Sequence, residues 1–398
     1  MTEPTLIMRF ADVGTVTYAS LRVVGDPART VTWVLEFARI REGLDDLAAA
    51  LPEPLVGESV SEALARALTT GAYAAPDTEA ALAPRLGAAL LPQPAWLLIC
   101  AETPCRAVLF VSPSARVGRV PWGLLAVAAE GDDRRLVEVV DLLVAVPPNI
   151  VNAPRARTAW AARRGRPALA VLDPRVPGQR PDSALGSVLG RPSPESSLAR
   201  HFADRVASRH LLPAVTTPVE LFRRTDADRD WLATMLAESP SRLLYVGHAS
   251  AAEDRSGRAD QASLHLAEEH PLTAAAIMSR KTPMPPRVAL IACASGGDYR
   301  FDEATGLVAA MIVCGAQLVT ATLWSLPTTA GYRRFGGGST DPMGELVVAV
   351  DDAHGTDQAG RAVNDWQREC LRRWRGGETA VHPVYWAALV TFAVDGAR

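Results

Sequence analysis

Lysine is almost missing from this chain of 398 residues: Lys281 is the only one, and the rest of the 41 basic residues are arginines. Few lysines beside many arginines and alanines is the mark of GC-rich coding, so arginine abundance is a poor guide to function here. The formal net charge is only −3, with no basic tail. Neither nucleic acid nor an anionic membrane finds a strong field to bind, and direct partners of both kinds are excluded. Cysteine is scarce as well. Cys100, Cys105, Cys293, Cys314 and Cys370 are odd in number and scattered in spacing. No CxxC or Cys/His ligand pattern appears, which argues against a disulfide framework and a zinc site and suits a reducing cytoplasm. No metal and no other cofactor is expected. A glycine-rich phosphate loop after an early strand is also missing, which weakens a nucleotide-binding reading. The first residues, Met1-Thr2-Glu3-Pro4, carry an acid and lead into no long apolar run, so no signal peptide is expected.

Residues 304–332 hold no charge and are long enough to cross a bilayer. Gly315, however, divides them into a helix-like half and a β-like half. A buried helix followed by a buried strand gives the same composition, so a non-membrane reading is favoured.

What is present is an apolar fraction of 48%, enough for one large or two ordinary domains. Residues 6–10, 16–24 and 31–37 read as strands. Ser59 with Glu62 three residues on forms a capping box, and Val60, Ala63, Leu64, Ala67 and Leu68 share one apolar face of the helix that follows. Residues 96–100 and 107–111 read as a strand pair, and 136–146 as one strand ending at Pro147-Pro148. Residues 173–197 are rich in Pro, Gly and Ser and read as a mobile loop, as does the stretch 250–261. From 198 onward short apolar strands (243–246, 288–292, 318–324) alternate with helices (198–208, 227–238, 273–278, 303–314). That alternation predicts an α/β fold with a mainly parallel sheet and helices on both faces. Sites in such folds lie beyond the carboxyl ends of the strands.

Two strands run into reactive side chains. Leu243-Leu244-Tyr245-Val246 leads to Gly247-His248-Ala249, and Val288-Ala289-Leu290-Ile291-Ala292 leads to Cys293-Ala294-Ser295-Gly296. If the strands are parallel neighbours, a thiol and an imidazole share one rim, the pairing that activates a cysteine nucleophile. The bland alternative is a packed cysteine and a capping histidine, since both residue types are often buried. Cys314 and Cys370 fall on apolar and amphipathic helices and read as packing residues.

The segment Leu244–Ala249 resembles the histidine motif of the CHAT domain, a branch of the caspase and separase clan known from bacteria. Leu290–Gly296 resembles its cysteine motif. Ser263-Leu264-His265-Leu266, Pro271-Leu272-Thr273, Cys314-Gly315-Ala316, Leu323-Trp324 and the closing His382–Leu389 stretch are similar to the same family, in order, across roughly residues 90–395. The resemblance implies a caspase-like three-layer α/β/α sandwich in residues 91–398, preceded by a β-rich and helical region in residues 1–90. It implies peptide cleavage by a Cys293/His248 dyad without a cofactor, with the backbone N–H groups of Ala249 and Cys293 as oxyanion donors. It also implies a protein or peptide substrate, a possible separate activating or sensor protein, and a place in bacterial defence or cell death. The family's acidic turn after the Leu-Trp pair is replaced here by Ser325-Leu326-Pro327-Thr328-Thr329. Asp298, Asp302 and Glu303 are the nearest acids, with Arg333 and Arg334 as an alternative of opposite sign. Asp298, Glu303, Ser325 and Thr328 are therefore candidate pocket residues, and a small or uncharged substrate side chain is expected. The competing reading is a catalytically silent scaffold or binding module.

Overall fold

Two hydrophobic rhythms, one alternating and one continuous, build a single sheet. The computed structural model describes residues 3–101, 106–127, 133–181, 183–250, 258–297, 306–338 and 340–398. In chain order the strands are β1 (Thr5–Val13), β2 (Val16–Val23), β3 (Asp26–Glu36), β4 (Val108–Ser112), β5 (Asp141–Ala145), β6 (Ala168–Leu172) and β7 (Leu211–Leu212). They continue with β8 (Arg242–Val246), β9 (Ala249–Ser250), β10 (Ser263–Leu264), β11 (Leu272–Thr273), β12 (Arg287–Ile291), β13 (Leu318–Thr322) and β14 (Leu389–Ala393). Among the described residues, eleven of them form one sheet in the order β3-β2-β1-β4-β5-β14-β13-β12-β8-β6-β7. Within that sheet, among the described residues, the β1–β2, β2–β3 and β13–β14 pairings are antiparallel and the others parallel. The short strands β9, β10 and β11 make a separate ribbon.

In β1 and β2 buried and more exposed residues alternate, the pattern of a sheet covered on one face. Every residue of β6, β12 and β13 is buried, the pattern of a parallel sheet covered on both. Leu244, Val246, Ala289 and Ile291 enter one core, and Leu243, Tyr245, Val288 and Leu290 enter the core on the opposite face. This is the mainly parallel, helix-covered sheet that the alternation implied. The uncharged stretch resolves into a helix (Leu307–Val313) and β13, divided at Gly315 with φ +124°. A Cβ there would press on the carbonyl oxygens of Met284 and Ala156. Among the described residues no helix is long and apolar enough to cross a membrane.

Two expectations are corrected. Residues 96–100 lie in a helix (Gln93–Ala101), not a strand. A short apolar run reads alike in both states, and Pro94 suits a first helical turn. Residues 136–146 are not one strand. Leu136–Val139 is a helical turn whose Glu138 reaches back to the Arg135 N–H at 2.7 Å, and the strand starts at Asp141. Residues 173–196 lack regular structure where described, as a loop should, and part of the stretch is buried. Asp173, Val176 and Val188 are buried, and Asp173 ties the stretch together through the Ser187 hydroxyl and the Val188 and Leu189 N–H groups.

At the lower ends of β8 and β12 the helix Pro342–Gly355 is clamped by arginine. Arg242 donates two hydrogen bonds to Asp351, at 3.1 and 3.0 Å, and Arg287 donates to the His354 carbonyl at 2.8 Å. His354 and His382 are buried, and burial pushes each down to about 3. Both are neutral when folded but protonate near 6.5 when unfolded. The unfolded chain thus holds more protons below pH 6.5, and stability falls as pH drops from there towards 3. The expected slope is about 1.4 kcal/mol per pH unit for each histidine. Urea denaturation between pH 7 and pH 4 measures it, and His382→Gln should flatten the curve.

Candidate active site

Four adjacent parallel strands deliver side chains to one rim. β8 and β12 pair in register, with Val246 opposite Ile291. His248 and Cys293 each follow two residues later, past the strand ends, so both leave the same rim of the sheet. Gly247 prolongs the ladder by donating to the Ile291 carbonyl at 3.2 Å. A side chain is not tolerated at Gly247: its Cβ would come within 2.8 Å of the Tyr245 hydroxyl. That hydroxyl directs its proton between the carbonyls of His248 and His265, each 2.7 Å away, and so anchors the backbone that carries His248.

The His248 ring is oriented by main chain. Its Nε2 lies 3.0 Å from the Gly186 carbonyl oxygen. A carbonyl can only accept, so Nε2 carries the hydrogen and Nδ1 of the neutral ring keeps the lone pair. Gly186 is held by Arg223, which donates to the same carbonyl at 3.1 Å and to the buried Asp173 carboxylate at 3.3 Å. Asp173 directly follows β6, and its own N–H donates to the Val246 carbonyl at 2.6 Å. Burial lowers the His248 pKa below its ordinary 6.5, partly opposed by the Gly186 hydrogen bond and the Asp173 charge.

Cys293 opens a tight turn in which Ser295 N–H donates to the Ala292 carbonyl. The Ser295 hydroxyl donates to the Leu290 carbonyl at 2.7 Å and accepts the Thr322 N–H at 3.1 Å, pinning the turn to β13. Ala294 takes φ +48°, in the left-handed region, where a Cβ costs about 1–2 kcal/mol. Ala294→Gly is therefore expected to leave stability unchanged or raise it by up to about 1 kcal/mol. Ala294→Val is expected to lower it, and the two denaturation midpoints check the contrast. Burial raises the Cys293 thiol above its ordinary 9.0, opposed by hydrogen bonds from the Ser325 hydroxyl and the Leu326 N–H. With the imidazole lowered and the thiol raised, both groups rest neutral.

Of the other residues singled out from sequence, Ala249 and Ser325 sit with the pair. The His265 N–H donates to the His248 carbonyl at 3.0 Å, which makes Ala249 and Leu264 a non-hydrogen-bonded pair of the ribbon. The Ala249 N–H therefore points away from β10, free of the ladder. Thr328 is instead the cap of the helix Thr329–Phe335, its hydroxyl accepting the Gly331 N–H at 3.0 Å. Asp298, Asp302, Glu303 and Cys105 lie outside the described residues, as does most of the loop expected to be mobile beside His248. Cys314 and Cys370 are buried, as packing residues should be. Among the described residues, one group has the spacing of metal ligands: His201, Asp351 and Asp352. Asp351 already pairs with Arg205 and Arg242, and two guanidiniums on one carboxylate oppose a divalent ion there. Sequence reasoning missed Asp173, Arg223 and the Gly186 carbonyl. An Asp directly after a buried strand was the one available signal.

The sequence matches the family model described as the CHAT domain over residues 62–393. No curated protein matches it by sequence. In shape it is similar to a chain in the crystal structure of the Saccharomyces cerevisiae separase–securin complex at 2.6 Å, with TM-score 0.51 and 10% identity, over 98% of this chain and 30% of that one. A 3.0 Å structure of the same complex gives TM-score 0.46, with 10% identity and the same coverage, 98% and 30%. This chain thus spans less than a third of the separase-complex chain it resembles. A family match covering most of the sequence, on a separase-like mainly parallel α/β fold, makes the chain a member of the CHAT domain family.

Proposed function

We propose that the protein is a cysteine endopeptidase in which Cys293 attacks a peptide carbonyl and His248 moves the proton. The observation that supports this reading is the in-register parallel pairing of β8 and β12, whose carboxyl ends lead into His248 and Cys293. Nδ1 of neutral His248 takes the thiol proton as sulfur bonds to the carbonyl carbon. The Ala249 and Cys293 N–H groups face the developing oxyanion. The imidazolium, steadied by the Gly186 carbonyl and the nearby Asp173 charge, then gives its proton to the leaving amine, and a water releases the acyl group. Residues 91–398 carry this chemistry, and residues 1–90 flank it. The substrate is a protein, and bacterial defence or cell-death signalling in the cytoplasm, under a separate activating partner, is the biological setting we propose. A small or uncharged residue is expected before the scissile bond, since Ser325 and Thr328 carry no charge to hold an ionised side chain. A positional-scanning peptide library tests both points. Cleavage selective for small or uncharged residues supports the reading. Strong selection for Arg or Lys overturns the pocket assignment, and no cleavage of any member favours a silent scaffold.

A further inference from the structure

The segment between the helices Phe37–Ala50 and Val60–Thr69 reaches the cleft from the N-terminal part of the chain. Arg66 shapes it. The guanidinium donates to the carbonyls of Ala49, Leu51 and Glu53, the last at 2.9 Å, and pairs with Glu58 at 2.7 Å. The strap so formed presents the Glu53 carboxylate to the loop after β13. There one oxygen accepts the backbone N–H of Ser325 at 3.3 Å. The other pairs with Arg119, and the Glu53 side chain is only 19% exposed. Ser325 follows β13 by three residues, and the turn that Cys293 opens is pinned to the end of β13, where the Thr322 N–H donates to the Ser295 hydroxyl at 3.1 Å and the Gly296 N–H to the Thr322 carbonyl at 2.8 Å. The Ser325 hydroxyl and the Leu326 N–H act on the Cys293 thiol against its burial. A mostly buried carboxylate set between a guanidinium and a main-chain N–H fixes the position of that N–H.

We propose that Glu53 is a positioning residue for the Cys293 thiol, acting through Ser325. The inference rests on reading Cys293 as the reactive group, but its test needs no substrate. Around Glu53 the charged groups are Arg119, and behind the strap Arg66 and Glu58. Among the described residues, those nearest the thiol are the Tyr245 hydroxyl and His248, which follows the adjacent strand. Hydrogen bonds from Ser325 and Leu326 favour the thiolate over the thiol, so releasing the loop makes the sulfur less reactive at a given pH.

The experiment follows alkylation of Cys293 by iodoacetamide across pH in the full chain, read by peptide mass spectrometry with buried Cys370 as internal control. Glu53→Asp keeps the charge beside Arg119 but withdraws the acceptor from Ser325 by one methylene. It is expected to move the midpoint of alkylation up by about half to one pH unit, as Ser325→Ala does. Glu53→Gln keeps an acceptor and is expected to restore most of the wild-type profile. Combining Glu53→Asp with Ser325→Ala is expected to add little, since both remove one chain of contacts. A Glu53→Asp profile that coincides with wild type overturns the proposal. So does a Glu53→Gln shift as large as that of Asp, or full additivity with Ser325→Ala. Shifted profiles without any peptide cleavage would overturn the peptidase reading and leave the positioning role intact.

Discussion

Replacing His248 by alanine is expected to cut peptide turnover by about 10³-fold, within the range that a positioned general acid–base group supplies. The thiol is pushed up by burial, so at neutral pH it must lose its proton during the attack and not before. Among the described residues, His248 is the one imidazole that follows a strand paired with β12. The variant should fold, because the Gly186 carbonyl still receives Arg223 when the ring is gone. The expected loss of stability is about 1 kcal/mol, that of one hydrogen bond. In the intact protein the acid limb of the pH profile should lie below 6.5, since burial lowers the His248 pKa. Undiminished turnover in a folded His248→Ala variant would remove the imidazole from the mechanism.

The second large effect is expected at Asp173. One buried carboxylate there receives the Ser187 hydroxyl, the N–H groups of Val188 and Leu189, and the Arg223 guanidinium. Asp173→Ala leaves those donors and a half-buried cation without their partner, at a cost of about 3–5 kcal/mol. Ala also suits φ +53° less well than Asp. The loop then no longer holds the Gly186 carbonyl against Nε2, and a catalytic group misplaced by a fraction of its reach loses about 10²-fold in rate. Asp173→Asn keeps an acceptor and tolerates the backbone, so it should recover part of both. Denaturant unfolding and peptide turnover, measured on the two variants side by side, check the order wild type, Asn, Ala.

The readable part of this molecule lay where a side chain and a strand end coincide. His248 and Cys293 stand directly after buried apolar runs, and the two runs pair as neighbours in matching register. Only the resemblance to a family, however, attached a role to them. The support around them was hidden for physical reasons. The group that orients His248 is a main-chain carbonyl at Gly186, and a carbonyl has no letter in a sequence. The Pro/Gly/Ser-rich stretch around it looked loose, because composition does not reveal that Asp173 gathers its donors. Glu53 lies 272 positions from Ser325 and meets it only through the fold. Thr328 was read as a pocket hydroxyl, and that it also caps the next helix, accepting the Gly331 N–H, went unread because no capping-box partner follows it. Residues 93–101 illustrate the remaining ambiguity, since a short apolar run reads alike as helix and strand.

The most direct measurement is covalent trapping. A peptidyl acyloxymethyl ketone places an electrophile where the scissile carbonyl would sit, and intact mass with peptide mapping locates the adduct. The account predicts one adduct, on Cys293, formed at least about tenfold more slowly in His248→Ala and absent in Cys293→Ala. Labelling spread over Cys100 and Cys293 alike, or unchanged in rate without His248, would contradict it.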